Sequence, residues 1–78
     1  MTLDKKIVDI LAPYMGTTMA TSSVKIYVNQ IKITEGSFEV HHLERIVNKI
    51  RPGLQAFVGE EKAQIVSNEI MKLKFSKG

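Results

Sequence analysis

The chain contains no cysteine. Disulfides, thiolate nucleophiles and thiolate zinc sites are therefore excluded. Small secreted domains usually need disulfide staples, so a cysteine-free domain is expected in the cytoplasm. Long hydrophobic runs are missing as well. Asp9 interrupts the apolar stretch near the N-terminus, which argues against both a signal peptide and a membrane span. There is no Gly/Ser-rich linker and no low-complexity tract. With 78 residues, residues 1–78 are expected to form one domain. A domain of this length buries only about 60% of the surface of its unfolded chain, so its core is thin and self-association is a natural route to further stability.

Net charge is also scarce, at +3. Residues 1–69 balance eight Lys and Arg against eight Asp and Glu, so the whole excess is Lys72, Lys74 and Lys77. Lysines at the end of a last helix complement its macrodipole. They read first as dipole-matching and solubilising, and second as a nucleic-acid footprint.

What is present is helical periodicity. Leu3, Ile7, Val8, Ile10, Leu11, Tyr14 and Met15 form the first stripe, with Thr2 or Asp4 as its cap. Pro13 lacks the N–H that would reach residue 9, which predicts a helix that ends near Leu11 or kinks there. Gly16 then reverses the chain. Thr17 and Thr18 are expected N-caps of a second helix, with Ala20, Ser23, Val24, Tyr27, Val28 and Ile31 on its inner face. Val24, Ile26 and Val28 also alternate as a strand would. Only Ile31 and Ile33 lie near enough to pair with such a strand, and so few strands make no stable sheet. Residues 17–33 are therefore read as helix.

Thr34-Glu35-Gly36-Ser37 is a loop, with Ser37 capping a third helix. Val40, Leu43, Ile46, Val47 and Ile50 form that helix's apolar face. Pro52 is expected to kink or break it. Leu54, Phe57 and Val58 resume the pattern up to Gly59. Glu60 and Glu61 open the last helix, where acids suit the dipole. Ala63, Val66, Ile70 and Leu73 face inward, and Ser76-Lys77-Gly78 should be frayed. The expected fold is all-α: a small four-helix domain built from two αα-hairpins.

Shifting the chain by 43 residues places Ile7, Leu11, Gly16 and Ala20 on Ile50, Leu54, Gly59 and Ala63. Tyr14 and Met15 fall on Phe57 and Val58. The shared unit is an apolar helix, an aromatic-aliphatic-Gly turn, and a second helix with Ala on its first turn. Physically, the aromatic would pack under the turn, Gly would reverse the chain and Ala would let the helices approach. A pseudo-twofold repeat of hairpins accounts for the match, and so does any pair of hairpins with a Gly turn, since Pro13 and Pro52 do not align. On either account Gly16 and Gly59 are structural turns.

Candidate chemistry is sparse. On an α-helix His41 and His42 would point about 100° apart, off the buried face, as solvated side chains that cannot chelate one ion. His41 and Glu44 could share a face, but two ligands make a weak site. Glu60 and Glu61 are explained by the dipole without acid–base catalysis. The hydroxyls of Thr17, Thr18, Thr21, Ser22 and Ser23 open a helix without the Gly-rich loop and Lys-Ser/Thr of a phosphate site. No cofactor and no metal are expected.

Two groups remain. Met15, Met19, Tyr27 and Phe38 are large side chains that a thin core cannot all bury, and they are the candidate interface. Arg45, Lys49 and Arg51 on the third helix, with Lys72 and Lys74, are the candidate nucleic-acid contacts. No aromatic interleaves with them as single-strand binding would want. The expectation is a non-catalytic helical protein-interaction module that binds another protein or itself. The alternative is a nucleic-acid-binding helical domain. An enzyme is disfavoured because a cleft of convergent polar groups needs more chain.

Overall fold

A computed structural model describes residues 2–75. The order of elements is α1 (Leu3–Met15), α2 (Thr17–Glu35), a 3₁₀ turn (Val40–His42), α3 (Leu43–Val58), α4 (Glu60–Lys72) and a closing 3₁₀ turn (Leu73–Phe75). No strand occurs among the described residues. The stretch 17–33 is helical despite its β-branched residues, because its Ala20, Val24, Val28 and Ile31 face the core and tertiary burial outweighs weak intrinsic propensity. The fraying expected of Ser76-Lys77-Gly78 lies outside the described residues.

The helices pair as chain neighbours, α1 on α2 and α3 on α4, with fewer contacts between the hairpins. The radius of gyration is 11.6 Å, against about 11.5 Å for a folded chain of this length. The hairpins therefore close on each other. Between them lie Ile7, Val8 and Leu11 of α1, the four α2 residues above, Leu43, Ile46, Val47, Ile50 and Leu54 of α3, and Ala63, Val66 and Ile70 of α4. Met15 and Tyr14 pack partly against this core. Val40 and Phe57, expected on inner faces, are exposed.

Both hairpins turn on a single glycine. Gly16 has φ 86° and ψ 151°, and Gly59 has φ 91° and ψ 163°. This quadrant is essentially closed to residues with a Cβ. Each glycine ends one helix and begins the next. The Gly16 N–H donates to the Ala12 carbonyl at 2.8 Å, and its own carbonyl accepts from the Ala20 N–H at 3.0 Å. At the second turn the Gly59 N–H donates to Gln55 at 2.9 Å, and the Gly59 carbonyl accepts from Ala63 at 3.0 Å. Ala20 and Ala63 are both fully buried. The offset of 43 residues thus maps one turn onto the other bond for bond, and it maps Ile7 and Leu11 onto Ile50 and Leu54 within the core. The aromatics differ: Tyr14 is half-buried, while Phe57 stands out beside its turn.

Several local expectations need correction. Gly16, not Thr17 or Thr18, is the N-cap of α2. The first helix runs past Pro13 to Met15, and α3 runs past Pro52 to Val58. Both prolines are exposed, as are Asp9 and Asn48 four residues earlier, so water can reach the carbonyls that lose a donor. The cap before α3 is Glu39 rather than Ser37, whose hydroxyl donates to the Glu39 carboxylate at 3.1 Å. The cap of α1 is Thr2 as expected, its Oγ1 accepting from the Lys5 N–H at 3.3 Å.

Candidate functional site

The helices α2 and α3 run antiparallel, and a groove follows their seam. Towards the glycine turns it is a depression of about 150 Å³ walled by Met15, Met19, Ser23 and Tyr27 from one side and by Ile50, Gly53, Leu54 and Phe57 from the other. Towards the loop it widens to about 380 Å³, where Tyr27, Gln30, Ile31 and Thr34 face Arg45, Asn48 and Lys49. Tyr27 stands in the middle and belongs to both halves. The small residues Ser23 and Gly53 leave the floor low, and Met19 and Phe57 remain 48% and 54% exposed on its rims. One half of the groove is thus apolar and adaptable, and the other is polar and basic.

Three of the four candidate interface residues, Met15, Met19 and Tyr27, meet here. Phe38 does not: it lies in the loop, stacked on the His42 ring at 6.1 Å between centroids. Phe57 joins in its place. The basic candidates divide as well. Arg45 and Lys49 line the groove, and Arg45 Nη1 lies 3.4 Å from Glu35 Oε2. Arg51 does not line it. It is half-buried, and its Nε has no hydrogen-bond partner. Lys72 and Lys74 are exposed at the far end of α4 and in the turn after it.

A second depression of about 480 Å³ lies between α1 and α2. It has no aromatic in its walls and brings together Lys5, Lys25 and Lys32 with Asp4. Lys5 is paired to Asp9 at 3.6 Å. This basic group spans two helices, so its only trace in the sequence is the seven-residue spacing of Lys25 and Lys32 on one helix face.

The two histidines are placed differently from expectation. They sit in a 3₁₀ turn, not an α-helix, and their ring centroids are 3.9 Å apart. His41 is exposed, but His42 is buried, with 3% of its surface accessible. Its Nδ1 accepts the Glu39 N–H at 3.0 Å, and its Nε2 lies 3.9 Å from Glu35 Oε1. An accepting Nδ1 puts the ring proton on Nε2. The side chain therefore caps the entry to α3 and ties it to the last residue of α2. No group of three or more His, Asp or Glu that could hold a metal ion is formed among the described residues. Replacing His42 by alanine is expected to lower stability by about 1–3 kcal/mol, because it orphans a backbone donor and empties a buried space. His41→Ala should change it by less than about 0.5 kcal/mol. Urea unfolding of the two variants checks this, and equal midpoints would show that the ring is not a cap.

Glu60 and Glu61 are exposed in the first turn of α4 and line neither groove. Thr17, Thr18, Thr21 and Ser22 are exposed on α2. Among the described residues no helix is long and apolar enough to cross a membrane. No protein-family model matches the chain, and neither a curated protein nor a solved structure is significantly similar to it.

Proposed function

We propose that this chain is a non-catalytic protein-interaction module that receives an apolar, helix-like segment of another polypeptide in the α2–α3 groove. The observation that carries the reading is the unfilled apolar half of that groove, where Met19, Tyr27 and Phe57 flank Ser23 and Gly53. Flexible methionines and aromatics around a low floor suit an amphipathic helix laid in a groove. Selection from a displayed library of amphipathic helical peptides tests it. Binders should emerge that compete with one another and lose affinity at least about tenfold against Phe57→Asp, a loss of the order seen at interface anchors. Phe57 is exposed, so the variant should melt near the wild type. Binders indifferent to Phe57→Asp, or none at all, would remove the reading.

The second reading, nucleic-acid binding, is favoured by Lys5, Lys25 and Lys32 around one depression rather than by the third helix. Salt separates the two. Three phosphate contacts would weaken binding about 40-fold between 50 and 200 mM salt, whereas an apolar groove contact should change little. A labelled random-sequence duplex titrated at both concentrations is expected to bind weakly, without sequence preference. Tight binding at the higher salt, lost in Lys25→Ala and Lys32→Ala, would put the second reading first.

A further inference from the structure

On α2, beside the groove, three apolar side chains stay out of the core: Met19, Ile26 and Ile33, which are 48%, 56% and 86% exposed. They are spaced by seven residues, so they form one stripe along the helix. Between them on the same face lie Ser22, Ser23, Asn29 and Gln30, none of which is charged. A helix face that is merely solvated carries charges, whereas the centre of an interface is depleted of them.

The stripe has a centre. Ile26 is seven residues from both Met19 and Ile33, so the face is its own complement when a second helix runs the other way. We infer that two copies of this chain pair through α2, antiparallel, about a twofold axis at Ile26. Ile26 then meets Ile26 of the second copy, and each Met19 meets an Ile33. The serines meet the asparagine and glutamine and can hydrogen-bond to them. Charge supports the same direction. Both glycine turns lie at one end of the molecule, where Glu60 and Glu61 outnumber Lys62, while at the other end Lys5, Lys6, Lys32, Arg45, Lys49, Lys72 and Lys74 outnumber Asp4, Glu35, Glu39, Glu44 and Glu69. An antiparallel copy sets the acidic end of one chain alongside the basic end of its mate, while a parallel copy sets like beside like. The interface is isologous and closed. The seam is short, about 21 Å by the helical rise, well below the surface of a tight dimer. A dissociation constant on the order of 10 µM is therefore expected. The inference rests on reading the chain as an interaction module, and Met19 is common to seam and groove.

The absence of cysteine makes the register testable by single substitutions in the full chain. Under mild oxidation Ile26→Cys should form a disulfide dimer. Met19→Cys alone should not, because antiparallel pairing separates the two thiols by about 21 Å and a disulfide needs Cα atoms within about 7 Å. Mixing Met19→Cys with Ile33→Cys chains should give the mixed dimer. By sedimentation equilibrium, Ile26→Glu should weaken association at least about 100-fold, a change within reach of a central anchor. Its circular dichroism should stay that of the wild type, since residue 26 is exposed. Ile65→Glu on α4 should leave association unchanged. A wild-type chain that stays monomeric at millimolar concentration, or Met19→Cys cross-linking as readily as Ile26→Cys, overturns the inference. If the chain is monomeric yet still binds groove peptides, the dimer fails and the module reading survives. A dimer that binds no peptide leaves the inference standing and removes the groove.

Discussion

A Gly59→Val chain is expected to be less stable than the wild type by about 1–3 kcal/mol, the range for a residue forced into a sparsely populated backbone region. The space around the glycine is not the reason. A Cβ built on Gly59 or on Gly16 meets nothing within 4 Å. The whole effect therefore comes from the backbone, because φ near +90° with extended ψ is open only to glycine. Gly16→Val should behave alike, since its φ and ψ differ from those of Gly59 by 5° and 12°. Gly36 supplies the control. It ends α2 in the left-handed region, at φ 87° and ψ −20°, where a side chain costs only about 1–2 kcal/mol. Gly36→Ala should therefore lose less than either valine variant. Each kcal/mol lowers the melting temperature of a domain this small by about 4–8 °C, so calorimetry can rank the three. Valine variants that melt with the wild type would show that the chain does not reverse at these glycines.

Truncating the paired core leucines should have the largest effect of any single change. Leu11→Ala and Leu54→Ala are each expected to lose about 2–5 kcal/mol, from lost burial and from the cavity left behind. A chain of this length has about 4–12 kcal/mol in total, so either substitution brings it close to unfolding at room temperature. Leu11 is 0% exposed and Leu54 2%, and they occupy corresponding places in their hairpins. Like losses are expected, measured by urea unfolding at low temperature. A difference above about 2 kcal/mol would show that one hairpin relaxes around its cavity and the other does not. Losses near zero would mean that these side chains are not core.

The sequence carried the helices and their inner faces, because core contact leaves a period of 3.6 that Ile7, Leu11, Val24, Val28, Leu43, Ile46, Val66 and Ile70 all obey. The glycine turns were legible for an equally local reason: nothing but glycine fits them. The prolines misled, since their effect depends on whether the carbonyl four residues earlier can reach water, and in both helices it can. His42 was hidden because the loop before it buries the ring: Phe38 stacks on it, the Glu39 N–H donates to its Nδ1 and Glu35 lies beside its Nε2, contacts that no helical period states. The spacing of Glu39 and His42, cap and third helical residue, was the available signal. Phe57 and the three lysines of the α1–α2 depression required knowing which helices meet, and a single chain of letters does not state that.

Each hairpin packs chiefly within itself, α1 on α2 and α3 on α4, so few contacts join residues far apart in sequence. Domains with so local a wiring reach the native state in microseconds to milliseconds, because little loop-closure entropy is spent before contacts form. Either hairpin can begin to assemble from its own residues, and docking the two completes the core. The unfolded ensemble is then left quickly at every excursion. A small core wired this way recloses, when it opens, before its apolar strips can meet those of other chains, so speed of folding protects where depth of burial is limited.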